Sequence, residues 1–348
     1  MKQQIPKATV GANCWAFNVW KSWAARRNLF AETKCDPQYP VPELLENFTP
    51  EKLDYWLSLF VLEVRRQDKQ PYPPNSLFNL VAGIQRFLAV ERDCCDLNFF
   101  GKNSKVPRMR KALDCRMKEL TAQGLGVNIK RADAVTLDDE RALWSSNVFN
   151  MNTAKGLSYC VFFYNCKTFG LRGNLEHRNL DASQYAVRKD ERGNSFVLFN
   201  SWNSKTFNGG LEHRRLQPRC IKQYDTDDDR CAFKIFALYL RMIPSYGAFY
   251  RKPLESAFAF GKQCVGINTL SSYMKRAYDD AKIDRDNRNI VNHSGRVACC
   301  TRLFNDGFDD QMISSRSGHR SNAVRLYRRP SVEQEKAVSH ALDVPSDE

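Results

Sequence analysis

Five short stretches in the second half of the 348-residue chain carry side chains that could work on a phosphate. Arg172 stands in Gly170-Leu171-Arg172-Gly173, and Lys205 in Asn203-Ser204-Lys205-Thr206. His293 and Arg296 share His293-Ser294-Gly295-Arg296, His319 opens His319-Arg320-Ser321, and Tyr327 follows eight residues after His319. A guanidinium presents forked N–H donors that match the non-bridging oxygens of a phosphodiester. Imidazole and ammonium groups can move protons, and a tyrosine hydroxyl can hold a covalent intermediate. Exchange of a phosphodiester needs all three. Taken singly, each stretch has a plainer reading: Arg172 as a surface or salt-bridged arginine, Lys205 as an ordinary turn lysine. His293 and Arg296 say more, because positions i and i+3 share a helix face and can point at one site.

The elements that must position these groups form a mainly helical second half. Thr136-Leu137-Asp138-Asp139-Glu140 starts a helix, and a mainly apolar stretch, 157–169, ends at Gly170. Strand-like runs at 185–188, 196–199 and 214–221 are separated by turn signals at Arg192-Gly193-Asn194 and Asn208-Gly209-Gly210, predicting a small antiparallel sheet of about three strands. Lys205 falls on the turn between the last two. Helices resume over 229–242 and 270–281 and continue from Asn292 to the end. A last segment, 331–342, is read as a short amphipathic helix.

The first third reads as helical throughout. Trp15, Phe17, Val19, Trp20 and Trp23 cluster ahead of Arg26-Arg27. Thr49-Pro50 caps a helix carrying Leu53, Trp56, Leu57, Phe60 and Val61 at helical spacing. Ser76 is expected to cap the next, and a further helix over 106–122 carries Arg108, Arg110, Lys111, Arg116 and Lys118. A solvated charged face explains that helix as well as a DNA face does. The expected organisation is a helical domain over 1–123, a linker over 124–135 containing Lys130 and Arg131, and a mixed domain over 136–348. Two lobes so joined could close around a duplex.

The net charge of +14 suits a polyanionic partner, since each Lys or Arg that meets a phosphate releases a condensed counterion. No run of 18 apolar residues occurs, and Met1 to Lys7 lacks the apolar stretch of a signal peptide. The expectation is an intracellular protein without a membrane partner. The 12 cysteines include Cys94-Cys95 and Cys299-Cys300 but no C-x-x-C, so no zinc site is predicted and free thiols are. The acidic run Asp225, Asp227, Asp228, Asp229 reads as charge at a helix N-terminus rather than a metal site. His177, His213 and His340 are expected to be structural or exposed.

Arg, Lys, His-x-x-Arg, His and Tyr, in this order and at these separations, resemble the catalytic set of the tyrosine recombinases and integrases. The resemblance runs over roughly 135–330. Gly170-Leu-Arg-Gly-Asn-Leu-Glu-His-Arg178, the turn from Lys205 to Leu211, and Ser317-Gly-His-Arg-Ser321 are similar to the Crypton group of eukaryotic transposon recombinases. The resemblance implies a mainly α fold with a small antiparallel β-sheet, as a helical core-binding domain plus a mixed α/β catalytic domain. It implies that Arg172 and Arg296 bind the phosphorane oxygens and that His319 adds a hydrogen bond. His293 would position or deprotonate Tyr327, Lys205 would protonate the leaving 5′ oxygen, and Tyr327 would attack to form a 3′-phosphotyrosine, with no metal and no cofactor. It implies double-stranded DNA as partner, met by Arg108, Arg110, Lys111, Lys130, Arg131 and Arg320, a dimer per site, a tetrameric synapse, and a nuclear location or a cytoplasmic one before import. The His319-to-Tyr327 spacing is one shorter than the commonest in that family, and some relatives take the tyrosine from another subunit. Two further readings stay open: a catalytically silent DNA-binding or regulatory protein of the same fold, and a type IB topoisomerase.

Overall fold

In the first unit, four helices stack because their apolar residues recur at helical spacing. The computed structural model describes residues 5–29, 40–45, 48–91, 98–201 and 218–344. The chain divides into Met1–Ile129 and Lys130–Glu348, and each unit has its own core. Helices α1 (Lys7–Leu29), α2 (Pro50–Glu63), α3 (Pro74–Glu91) and α4 (Pro107–Ala122) build the first unit, α1 packing on α3 and α2 on α4. Trp20, Trp56, Phe60, Leu80, Ile84 and Met109 fill its centre. Thr49 caps α2 by accepting the Lys52 N–H. Asp54, on α2, accepts from the N–H groups of Arg108 (3.1 Å) and Met109 (2.7 Å), satisfying the free donors that open α4. The cap expected at Ser76 lies inside α3, which starts two residues earlier at Pro74 because proline tolerates a first helical turn.

The second unit is built around α6 (Ala154–Phe169), buried along almost its whole length. A helix apolar on all sides must be covered all round. It is covered by α8 (Ala232–Met242), α10 (Tyr273–Asp280) and α11 (Ser294–Asn305). α5 (Leu137–Ser145) sends in Glu140, which accepts from Tyr164 (2.6 Å) and Lys167 (2.8 Å) on α6 and from Arg302 on α11. That buried carboxylate ties together α5, α6 and α11. Short α7 (Gly173–Arg178) leads to an antiparallel sheet of β1 (Tyr185–Lys189), β2 (Ser195–Ser201) and β3 (Arg219–Tyr224), in that order. Its register pairs Tyr185 with Phe199 and Phe199 with Ile221, so one face joins the core.

The architecture is mainly helical with small antiparallel sheets, as expected from the sequence. Details differ. The third strand is Arg219–Tyr224 rather than 214–221, and residues 214–217 lie outside the described residues. A second hairpin, β4 (Arg251–Pro253) with β5 (Phe260–Cys264), was not foreseen. The helix expected over 270–281 is two, α9 (Ile267–Ser271) and α10. α8 starts at Ala232 on a Cys231 cap, so the acidic run lies in the loop before it, with Asp225 accepting from Cys231. Val135, assigned to the linker, is 1% exposed in the second core. The C-terminal part adds α12 (Asp310–Ser317), a 3-10 turn (Asn322–Tyr327) and α13 (Val332–Ala341), which buries none of its residues.

Candidate functional site

Two helix ends meet to form the floor of the site. α6 stops at Gly170, whose left-handed backbone (φ 59°, ψ 36°) caps the helix and turns the chain toward Arg172. α12 stops in the same way at Gly318 (φ 70°), and His319 follows. A side chain at Gly170 would bring Cβ to 2.7 Å from the Ser317 Cα, so the ends abut only because this residue is glycine. Arg172 reaches across the junction: Nη2 donates to the Gly318 carbonyl (3.3 Å), and Glu176 Oε2 accepts its backbone N–H (2.6 Å).

Arg296, in the first turn of α11, is 1% exposed. One terminal nitrogen donates to the Gly170 carbonyl, and Nη2 lies 3.2 Å from His319 Nε2. The buried Arg296 Nε has no hydrogen-bond partner. The tautomer of His319 follows from its neighbour. Ser317 Oγ donates its single hydrogen to the Ile313 carbonyl (2.6 Å), so it accepts from His319 Nδ1 (2.7 Å). That leaves Nε2 to accept from Arg296. His319 thus orients a guanidinium as arranged here.

Tyr327 ends the 3-10 turn and is held from both sides. Val324 is 3% exposed and anchors the turn against Cys300 and Ile313. Thr301 Oγ1 donates to the Tyr327 carbonyl (2.7 Å). The Tyr327 hydroxyl lies 3.0 Å from His293 Nε2, and the Tyr327 and His319 ring centres are 4.6 Å apart. Burial, with the charges of Arg296 and Arg172 and the neighbouring His319, holds the His293 pKa down to about 4. At neutral pH His293 is an uncharged imidazole able to accept the phenol proton. The structure thus brings Arg172, His293, Arg296, His319 and Tyr327 into one connected cluster. Lys205 lies outside the described residues.

A cavity of about 640 Å³ opens over this floor, lined by Arg172, Arg219, Arg296, Gly318, His319 and Arg320 among others. The sequence reading included Arg320 but missed Arg219 and Glu176. Glu176 could have been found from its i, i+4 spacing to Arg172. Arg219 carries no local signal, because a strand pairing brings it here.

The other candidate DNA contacts lie elsewhere. Arg108, Arg110 and Lys111 are exposed on α4; Arg108 sits 5.1 Å over the Tyr55 ring, and Arg110 donates to the Gly101 carbonyl (3.0 Å). Lys130 and Arg131 are exposed at the start of the second unit. His177 is structural: it is 1% exposed, stacked on Phe162, with Nδ1 2.7 Å from the Tyr250 hydroxyl. His213 is outside the described residues. Among the described residues no group of three or more His, Cys, Asp or Glu could hold a metal, and no helix is long and apolar enough to cross a membrane.

The neutral histidines give a pH prediction. Burial pushes His177 down to about 3 and His293 to about 4, against 6.5 for an ordinary histidine. Between those values the unfolded chain binds protons that the native state refuses, so stability is whole above about pH 6.5 and falls as pH drops toward 4. His293→Gln should therefore lose less stability than wild type between pH 7 and pH 4.5 in urea melts. Equal losses would contradict a neutral, half-buried His293.

Residues 12–105 match the QRICH1 domain, and residues 134–279 match a domain of unknown function (DUF3504). Zinc finger MYM-type protein 2 of Homo sapiens is 24% identical over 310 residues, covering 78% of this chain. The chain spans 22% of the length of that curated relative. Two solved structures align at 12% identity and a TM-score of 0.45. One is the XerH site-specific recombinase bound to palindromic difH substrate in a post-cleavage complex, aligned over 97% of each chain. The other is a lambda integrase dimer bound to a COC' core site, aligned over 100% of this chain and 76% of its own.

Proposed function

We propose that the protein is a tyrosine recombinase that cuts and rejoins DNA strands through Tyr327. The observation that carries this reading is a neutral His293 imidazole 3.0 Å from the Tyr327 hydroxyl, in one cluster with the guanidiniums of Arg172 and Arg296. His293 accepts the phenol proton as the tyrosine oxygen attacks the phosphorus. The P–O5′ bond breaks, Lys205 protonates the departing oxygen, and the strand stays on the enzyme as a 3′-phosphotyrosine. A 5′-hydroxyl from another strand then attacks and gives its proton to Lys205, the phosphotyrosine bond breaks, and His293 returns its proton to the Tyr327 oxygen. Arg172 and Arg296 oppose the charge that grows on the non-bridging oxygens, commonly the largest catalytic contribution. These side chains supply the charge and the proton transfers that the reaction needs, so we read it as independent of a metal or cofactor.

The similarity of the three sequence phrases around Arg172, Lys205 and His319 supports the Crypton type, and with it double-stranded DNA as substrate in the nucleus. The DNA contacts are assigned to Arg108, Arg110, Lys111, Lys130, Arg131 and Arg320. Assembly as a dimer per site and a tetrameric synapse follows the same resemblance. α13 suits docking on a neighbouring protomer, since Val332 and Val338 are about 60% exposed on it. Deleting residues 331–348 should then weaken assembly on DNA in gel-shift and cross-linking experiments; unchanged assembly would remove that role.

A second reading, a DNA-binding or regulatory protein with silent chemistry, is favoured by the sequence relative, whose name is that of a zinc finger protein rather than of a strand-transfer enzyme. Covalent trapping separates the two. The protein is incubated with supercoiled plasmid carrying DNA that flanks its own gene, with EDTA present, and SDS-resistant adducts are sought. Adducts together with relaxed plasmid support the recombinase; firm DNA binding without adducts supports the silent protein.

A further inference from the structure

The cavity over the two helix ends holds more positive charge than the set of Arg172 and Arg296 accounts for. Arg219 opens β3, paired with Ser201 of β2, and its guanidinium lies against Gly318, where an added Cβ would fall 2.4 Å from Nη1. Nη1 donates to the Arg316 carbonyl (3.3 Å). Among the described residues no carboxylate stands within 4.0 Å of this guanidinium. The two carboxylates lining the cavity are engaged elsewhere: Glu176 accepts the Arg172 N–H and faces its guanidinium, and Asp310 pairs with Arg328. Burial and the charge of Arg296, with a smaller push from Arg172, pull the Arg219 pKa down to about 10 against the opposing charge of Glu176. Three guanidiniums around one cavity repel one another, and a half-buried cation with no carboxylate in direct contact is costly. An anion in the cavity would relieve all three.

We infer that Arg219 is a third phosphate-binding catalytic residue, which meets the scissile phosphate together with Arg172 and Arg296. The inference rests on the recombinase reading and adds to it. A phosphorane carries two charged non-bridging oxygens, each able to accept more than one hydrogen bond, so three forked donors can be used without competition. The plainer alternative is a structural arginine that only ties β3 to the end of α12 through the Arg316 carbonyl.

Two variants and a modified substrate decide between them. Arg219→Gln keeps a donor for the Arg316 carbonyl and loses the charge; Arg219→Ala loses both. Adduct formation is measured in single turnover at saturating DNA, on a nicked duplex carrying the cleavage site that the wild type uses. Both variants should react about 10²-fold more slowly, the usual effect of removing one such donor. On a duplex with a methylphosphonate at the scissile position, one charge is already gone, and the Arg219→Gln deficit should shrink to less than about tenfold. Arg219→Gln within threefold of wild type on the phosphate substrate overturns the inference, and so does an equal deficit on both substrates. A wild type that forms adducts while Arg219→Gln matches it sinks this inference alone. A wild type that forms none sinks the recombinase reading and this inference with it.

Discussion

Tyr327→Phe should bind DNA as tightly as wild type and form no SDS-resistant adduct. The substitution removes one oxygen and nothing else that the turn depends on. Val324 still anchors the 3-10 turn, and Thr301 still donates to the backbone carbonyl of residue 327. The loss to stability is the single hydrogen bond to His293, about 0.5–1.5 kcal/mol. On the proposed mechanism the reaction loses its nucleophile outright, and Tyr327 is the only tyrosine in this sequence after His319. The same geometry sets an expectation about subunits. With His293 and Tyr327 paired within one chain, the recombinase reading has each active site use its own tyrosine. Mixing Tyr327→Phe with Arg172→Ala on one DNA should then give adducts no faster than Arg172→Ala alone, because neither protein holds a complete site. Adducts from the mixture at a rate well above that of Arg172→Ala alone would mean that Tyr327 leaves His293 and acts in a neighbouring subunit. Adducts from Tyr327→Phe alone would remove the tyrosine mechanism.

The helices were legible in the sequence because their burial is one-sided and regular. Leu53, Trp56, Leu57, Phe60 and Val61 recur at helical spacing, and all five are buried on α2. The site was legible for a different reason. Arg172, His319 and Tyr327 each follow a local signal, a helix-ending glycine or a short turn before Pro330, while His293 and Arg296 sit together in a helix's first turn. What the sequence hid depends on long-range pairing. Arg219 reaches the cavity only through the register of β2 with β3 and the missing side chain at Gly318. The β4–β5 hairpin is built from a three-residue and a five-residue strand with an irregular register, too little for a two-residue periodicity to show. The Tyr327 segment was read as part of a helix but is a 3-10 turn of six residues, closed off by Pro330 just beyond.

Arg296→Ala carries the second large effect, and here rate and stability must be read apart. The guanidinium is 1% exposed and serves two structural partners, the Gly170 carbonyl and His319 Nε2. Leaving buried groups without partners costs about 1–3 kcal/mol. Against that, Arg296 is a buried cation beside Arg172 and Arg219, whose mutual repulsion disappears with it. The two effects oppose each other, so the folded protein should survive with a modest change in its urea midpoint. No such offset exists for the reaction. Growing charge on the phosphorane loses a donor already in place, and adduct formation at saturating DNA should fall by about 10²–10³. Affinity should change little, because one phosphate contact among many carries a small share of binding. Arg172→Ala should show the same loss of rate with less effect on stability, since Arg172 is only half-buried and its Nη2 contact is a long one, 3.3 Å to Gly318. Single-turnover adduct assays, fluorescence anisotropy and urea melts on the same preparations separate the three quantities. An Arg296→Ala protein that folds and cleaves within threefold of wild type would make Arg296 a structural brace between two helix ends, and would leave the phosphate to other side chains in the cavity.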